Sequence, residues 1–290
     1  WKSTLAASWV AQICSIMGFA MCIPFLPYYV RSLGVPDGPA VLIWSGWLST
    51  AAGLVMAAVA PLWGLLADRH GRKLMVMRSM FGGMVVLGAM AYVHNVHQLL
   101  ALRVMQGILT GTVAASVALV GSVVPIRRAG FALGLMHTAQ YIGNSVGPGV
   151  GGRLAAEYGL RLPFVFAAGF LLLAGLLTVL GVHENFEQTD DEEEERGPAT
   201  IREVVTLKGF TTLAGLLFLV MFAGSFVGPV LPLYIEKLSG AGARNASMVT
   251  GDILMLAAIA AAVAATILGR MGDRIGYGKV LTVCTLLTGL

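Results

Sequence analysis

Pro24-Phe25-Leu26-Pro27-Tyr28-Tyr29 recurs 205 positions later as Pro229-Val230-Leu231-Pro232-Leu233-Tyr234. At the same offset Gly64-Leu65-Leu66-Ala67-Asp68-Arg69-His70-Gly71 recurs as Gly269-Arg270-Met271-Gly272-Asp273-Arg274-Ile275-Gly276. Residues 1 to 85 align with 206 to 290 without a gap, and 13 of the 85 pairs are identical. Those few identities gather at a proline-rich helix end and at a charged turn between two apolar runs, where backbone geometry limits the choice of residue. Such clustering points to a duplicated unit of six apolar segments.

The chain of 290 residues is 57% hydrophobic and 12% charged, with mean hydropathy +0.81. A soluble domain carries about 25% charged residues, so an all-α integral membrane protein is expected. About 20 apolar residues cross a hydrocarbon core of about 30 Å. Eight runs of that length cover approximately 7–30, 40–66, 74–93, 98–124, 129–154, 161–182, 209–235 and 247–268, with a ninth starting near Lys279. They are continuous and not short alternating segments, which argues against strands. The first run is too long for a signal peptide and lacks its cleavage pattern, so it reads as a retained span. The start at Trp1 and the stop at Leu290 inside an apolar run suggest truncation at both ends.

The net charge of +4 is distributed by topology. With a cytoplasmic N-terminus, 13 of the 19 Lys and Arg residues fall on the inner side, among them Lys2, Arg69, Arg72, Lys73, Arg127, Arg128 and Arg274. That orientation follows the positive-inside rule, and no nucleic-acid partner is implied. Cys14, Cys22 and Cys284 lie in apolar runs without disulfide or metal spacing, and no metal site or cofactor is expected. A stretch with six consecutive acids, Asp190 to Glu195, separates the sixth and seventh runs. Like charges repel and stay solvated. The organisation read here is a six-helix bundle over 1–182, a cytoplasmic acidic linker over 183–208, and a partial second bundle over 209–290.

Several residues carry chemistry in this setting. In the turn after the second run, Gly64 would permit close helix approach and Gly71 a tight reversal. Asp68 can exchange ion pairs with Arg69, Arg72 and Lys73. The turn reads either as a topology signal or as an inner gate, and its reappearance with Asp273 and Arg274 favours the gate. Arg103 lies about five residues into the fourth run, where a charge must face protein or water or snorkel to the boundary. Gln106, Gly107, Thr110 and Gly111 share its face. In the fifth run His137, Tyr141 and Asn144 form one stripe at spacings of four and seven, with Gln140 adjacent. His137 reads as a packing residue, a substrate contact or a proton relay. Gln12, Ser15 and Phe19 follow a similar period in the first run and are expected to line the same cavity. Gly143, Gly147 and Gly151, with Pro148 and Gly152, make a smooth seam that is either static packing or a pivot. Runs one to seven contain no central Asp or Glu. Asp252, near the outer end of the eighth, either neutralises a helix end or titrates.

The charged turn resembles the signature loop of the major facilitator superfamily. Met17-Gly18 followed by Pro24-Phe25-Leu26-Pro27 resembles a helix 1 pattern of its twelve-span drug:proton antiporters. Leu99, Arg103, Gln106 and Gly107 match the family's arginine motif, while Leu109 to Gly111 depart from its small-residue tail. Gly143, Gly147, Pro148, Gly151 and Gly152 reproduce its antiporter motif. Tyr277 and Gly278 replace the basic pair in the second charged turn. The resemblance implies a major facilitator fold of two six-helix bundles related by pseudo-twofold symmetry, the second truncated here. It also implies multidrug efflux by proton antiport in the plasma membrane, with Arg103 organising proton coupling and the glycine-proline segment biasing exchange toward export.

On this reading the partners are a small molecule, protons and the lipid bilayer, and a monomer is the expected form. The chain is not expected to be an enzyme, since no nucleophile-base arrangement or phosphate-binding loop occurs. A uniporter or proton-coupled importer on the same fold, and a membrane sensor without transport, remain alternatives.

Overall fold

The computed structural model describes residues 1–184, 210–239, 243–275 and 282–284. Among these residues the regular structure is helical. Helix α1 (Lys2–Cys22) passes through a single 3-10 turn, Ile23–Phe25, into α2 (Leu26–Ser32). Pro24 and Pro27 cause this segmentation: proline has no N–H to donate and is tolerated in the first turn of a helix. Then follow α3 (Pro39–His70), α4 (Arg72–Met90), α5 (Val96–Leu109) and α6 (Thr112–Val123). A second 3-10 turn, Ile126–Arg128, leads into α7 (Ala129–Tyr158) and α8 (Leu162–Gly181). The last long helices are α9 (Phe210–Ser239) and α10 (Ala243–Ile275). The acidic run Asp190 to Glu195 and the residues after Ile275, save the helical 282–284, lie outside the described residues.

The sequence suggested one unbroken span over 98–124, and the structure divides it. Thr110 is extended and Gly111 has φ +123, a conformation that a side chain would disfavour. The last α5 bond runs from Thr110 N to Gln106 O (2.9 Å), and α6 begins with Ala115 N to Gly111 O (3.2 Å).

Five helical stretches among the described residues are long and apolar enough to cross a membrane: Lys2–Ser32, Pro39–His70, Arg72–Met90, Val96–Val123 and Leu162–Gly181. Ala129–Tyr158 is not among them, although the sequence reading counted it as a span. Its glycines and the polar His137, Gln140 and Asn144 lower its hydropathy. Its 30 residues nevertheless reach about 45 Å at about 1.5 Å per residue.

Helix α1 is enclosed by α6, α7 and α8; α4 packs on α8, α3 on α5, and α10 lies along α7. The largest apolar cluster gathers Met21, Tyr29, Leu48, Leu87, Met90, Leu99, Phe164 and Leu171. Tyr29 anchors it, donating from its hydroxyl to Met90 O (2.6 Å) while its ring lies 4.9 Å from that of Phe164.

Candidate functional site

The charged turn closes on its own unit. Gly71 has φ +92, and a helix starts immediately after it with unpartnered N–H groups. The carboxylate of Glu184, just beyond α8, accepts from Arg72 N (3.0 Å) and Lys73 N (2.7 Å). An anion at a helix N-terminus is favoured by both hydrogen bonding and the helix dipole. Lys73 Nζ donates in turn to Val179 O (3.0 Å) and Val182 O (2.7 Å), at the carbonyl end of α8. Asp68 and Arg72 approach at 3.6 Å, and Asp68 is 69% exposed. Arg69 is also exposed. Gly64, expected to permit close helix approach, meets none among the described residues: a Cβ there would find nothing within 4 Å. Asp273 and Arg274 lie on the last turn of α10, and their side chains are outside the described part.

Arg103 is 5% exposed and lines a cavity of about 610 Å³. Phe19, Ile23, Ala52 and Met56 form apolar walls, and Gln106, Thr110 and the first turn of α6 supply polar groups. Arg103 NH1 donates to Gln106 Oε1 (2.8 Å), while its Nε has no acceptor among the described residues. Among the described residues no carboxylate comes within ion-pair distance of it. Close packing sets the position of α5: a Cβ on Gly107 would lie 2.5 Å from Ala52 O.

Gln12 and Ser15 do not join this cavity. Both are fully buried, because α1 is covered by three helices, and neither side chain has a hydrogen-bond partner among the described residues. Phe19, one turn further along, reaches the cavity wall. His137, Tyr141 and Asn144 are exposed on one side of α7, with Gln140 Nε2 3.2 Å from His137 Nδ1.

The glycine seam has two faces. A Cβ on Gly143 would lie 2.8 Å from Ile16 Cβ, and one on Gly147 would lie 2.7 Å from Ala20 Cβ. One on Gly151 would fall onto the Met21 carbonyl, so this face locks α7 to α1. The other face meets α10: a Cβ on Gly152 would lie 2.5 Å from Ser247 O, and one on Gly251 would strike Pro148 O.

Further contacts join α9 and α10 to the first eight helices at the end of the molecule opposite Gly71. Arg31 pairs with Glu236 through NH1–Oε1 (3.0 Å) and NH2–Oε2 (2.6 Å), and with Asp37 at 2.8 Å. The Tyr28 hydroxyl donates to Pro232 O (2.5 Å). Asp252 accepts from Arg153 NH2 at 2.9 Å, which makes it half of an ion pair between α7 and α10. Arg31, Glu236 and Glu184 were not singled out from the sequence. The opposite charges of Arg31 and Glu236 at matching repeat positions were the available signal.

A family model described as Major Facilitator Superfamily matches residues 8–290. The "Multidrug resistance protein MdtG" of Enterobacter lignolyticus (strain SCF1) is 36% identical over 290 residues, which is 100% of this chain and 69% of that protein. The protein of the same name from Proteus mirabilis (strain HI4320) is 37% identical over 284 residues, 97% of this chain and 70% of its own. Among solved structures, the human organic anion transporter MFSD10 (TETRAN) superposes with TM-score 0.54 at 22% identity. That match covers 64% of this chain and 49% of the other, so this chain spans about half its length, and the likeness concerns the fold alone.

Proposed function

Because the chain belongs to the Major Facilitator Superfamily, we propose that it is a secondary active transporter that exports small amphipathic compounds in exchange for protons. The name shared by its relatives, multidrug resistance protein, supports the export of drugs. Residues 1–182 form the first bundle, 183–208 a cytoplasmic acidic linker and 209–290 part of the second bundle. The N-terminus is cytoplasmic and the membrane is the plasma membrane. The observation that carries the reading is asymmetric closure. Arg31–Glu236, Tyr28–Pro232 and Arg153–Asp252 join the two bundles at the end away from Gly71, while His137, Tyr141 and Asn144 stay exposed on α7. Among the described residues the bundles meet at one end, the arrangement expected of a transporter sealed outside. Alternating access would rock the bundles about the Gly147–Pro148 segment.

In that cycle Asp68, Arg69, Arg72 and Lys73, with Asp273 and Arg274, close the inner side. Arg103 and Gln106 belong to the coupling cavity, and His137, Tyr141 and Asn144, together on the exposed side of α7, contact the substrate. Asp252 acts through its Arg153 pair at the outer closure.

The test is uptake of a fluorescent amphiphilic drug by inverted vesicles with and without a pH gradient. Gradient-driven uptake is expected, and uptake indifferent to the gradient overturns the antiport. A uniporter is the second reading, favoured by the lack of a carboxylate beside Arg103 among the described residues.

A further inference from the structure

The turn between α6 and α7 exposes two large apolar side chains beside two arginines. The membrane-crossing stretch Val96–Val123 ends three residues before Ile126, which places the turn at the edge of the apolar layer. Ile126 is 88% exposed, more than any other large apolar side chain among the described residues, and Phe131, on the first turn of α7, is 67% exposed. Apolar and basic side chains mixed in this way are the composition of a segment that lies in the headgroup layer.

The charge of the patch is unbalanced. Arg127 and Arg128 are both exposed, and Lys2 joins them from α1: Arg128 lies 5.5 Å and Lys2 5.9 Å from the centre of the Trp1 ring. Trp1 packs in turn against the cluster that joins α1, α6 and α7, so the indole fixes where these two cations stand. Among the described residues none of the three cations has a carboxylate within ion-pair distance. The neighbouring charged turn differs, since Arg72 pairs with Asp68 and Lys73 covers the carbonyls of α8. Both features share one end of the molecule, because Thr4 meets His183 next to Glu184, which caps Arg72 and Lys73. Helix α7 starts at Ala129 without a side-chain cap, and its positive end adds to the charge of the patch.

We propose that this patch is a binding site for an anionic phospholipid. Arg127, Arg128 and Lys2 hold the phosphate, and Ile126 and Phe131 lie against the glycerol and the upper acyl carbons. Guanidinium groups grip phosphate through charge-assisted, often paired, hydrogen bonds. A negative leaflet attracts each Lys or Arg at its surface, so a lipid with net charge is favoured over a zwitterionic one carrying the same phosphate. The two apolar side chains commit the site to a lipid, since free phosphate has nothing to set against them. The site stands independently of the direction and coupling of transport.

The full chain, purified in a neutral detergent, is mixed with equal amounts of phosphatidylglycerol and phosphatidylcholine of the same acyl chains, and the retained lipids are counted by native mass spectrometry. Phosphatidylglycerol should be retained about tenfold over phosphatidylcholine, as three cations at an anionic headgroup allow. Arg127→Gln with Arg128→Gln should remove most of that preference, whereas Arg69→Gln, at another exposed cation of the same end, should leave it. Ile126→Ser with Phe131→Ser should weaken retention of both lipids while the preference between them persists. If the double Gln variant does not fold, Arg127→Gln alone should remove part of the preference. A preference that survives loss of the arginines, or that falls as far in Arg69→Gln, overturns the site. Displacement of phosphatidylglycerol by inorganic phosphate at constant ionic strength marks a free-phosphate site and overturns the lipid assignment.

Discussion

Arg31 and Glu236 occupy equivalent positions of the two repeats, 205 residues apart, and are bonded to each other by two parallel N–H···O contacts of 3.0 and 2.6 Å. In a molecule whose halves are related by a twofold axis, equivalent residues meet only near that axis. The pair therefore marks where the bundles converge at one end, with Asp37 as a second partner for Arg31.

Exchange of the two charges is the sharpest check on that closure. Arg31→Glu or Glu236→Arg alone should open the end, because each places like charges where a bidentate pair stood. Both side chains are partly exposed, so the loss lies below the about 3–5 kcal/mol of a fully buried pair and nearer about 1–2 kcal/mol. The double exchange Arg31→Glu with Glu236→Arg should restore much of the closure. Labelling of a cysteine placed at Val41 by a membrane-impermeant thiol reagent reports the opening. Equal labelling in single and double variants would contradict it.

The two glycines of the recognised motifs should behave in opposite ways. Gly151→Ala drives a methyl group into the Met21 carbonyl, a backbone atom that cannot swing aside. Overpacking of this kind costs about 1–3 kcal/mol, so lower yield and a lower Tm in detergent are expected. Gly64→Ala meets open space among the described residues and should shift stability by no more than about 0.5 kcal/mol. If Gly64→Ala still abolishes uptake while leaving Tm unchanged, its role lies in another state of the cycle.

That contrast shows what the sequence could and could not convey. The helices were legible because a chain with this hydropathy must satisfy its backbone internally. Gly71 was legible because a reversal at φ +92 selects glycine, and the 143–147–151 seam because spacing by four defines a helix face. Gly64 meets no close helix among the described residues, since the same residue type can sit at an open surface. Gln12 and Ser15 were misread for a related reason: periodicity identifies a face but not what covers it, and α1 is covered on three sides. The break at Thr110–Gly111 fell within an apolar run and was absorbed into it. Only the departure of Leu109 to Gly111 from the arginine motif hinted at it.

Glu184 ties the charged turn to the end of α8, although it lies 112 residues from Arg72. Glu184→Ala removes the cap from both Arg72 N and Lys73 N and should cost about 0.5–2 kcal/mol locally. Hydrogen exchange of the amides at Arg72 and Lys73 should accelerate in step, with Glu184→Gln intermediate because it keeps an oxygen acceptor but loses the charge. Unchanged exchange would show that the turn is held from elsewhere.

The broken fourth span depends on two side chains from other helices. Arg78 lies over the Trp63 ring at 3.5 Å, and both donate to the Ile108 carbonyl freed at the break. Trp63→Phe keeps a ring under the cation but removes the N–H, whereas Arg78→Met removes the charge and keeps the bulk. Each loss leaves Ile108 O one donor, so each single variant should cost about 1–2 kcal/mol. The double variant takes both donors from that carbonyl. Its loss should exceed the sum of the two by about 1 kcal/mol, since the last donor then goes as well. The cation over the ring acts the other way, because its contribution disappears with the first substitution. Thermal unfolding of the four proteins in one detergent measures the balance. A super-additive loss identifies the shared carbonyl as the dominant link, and a sub-additive one identifies the ring contact. Strict additivity would show that α6 is held in place by Gly111 and its packing alone.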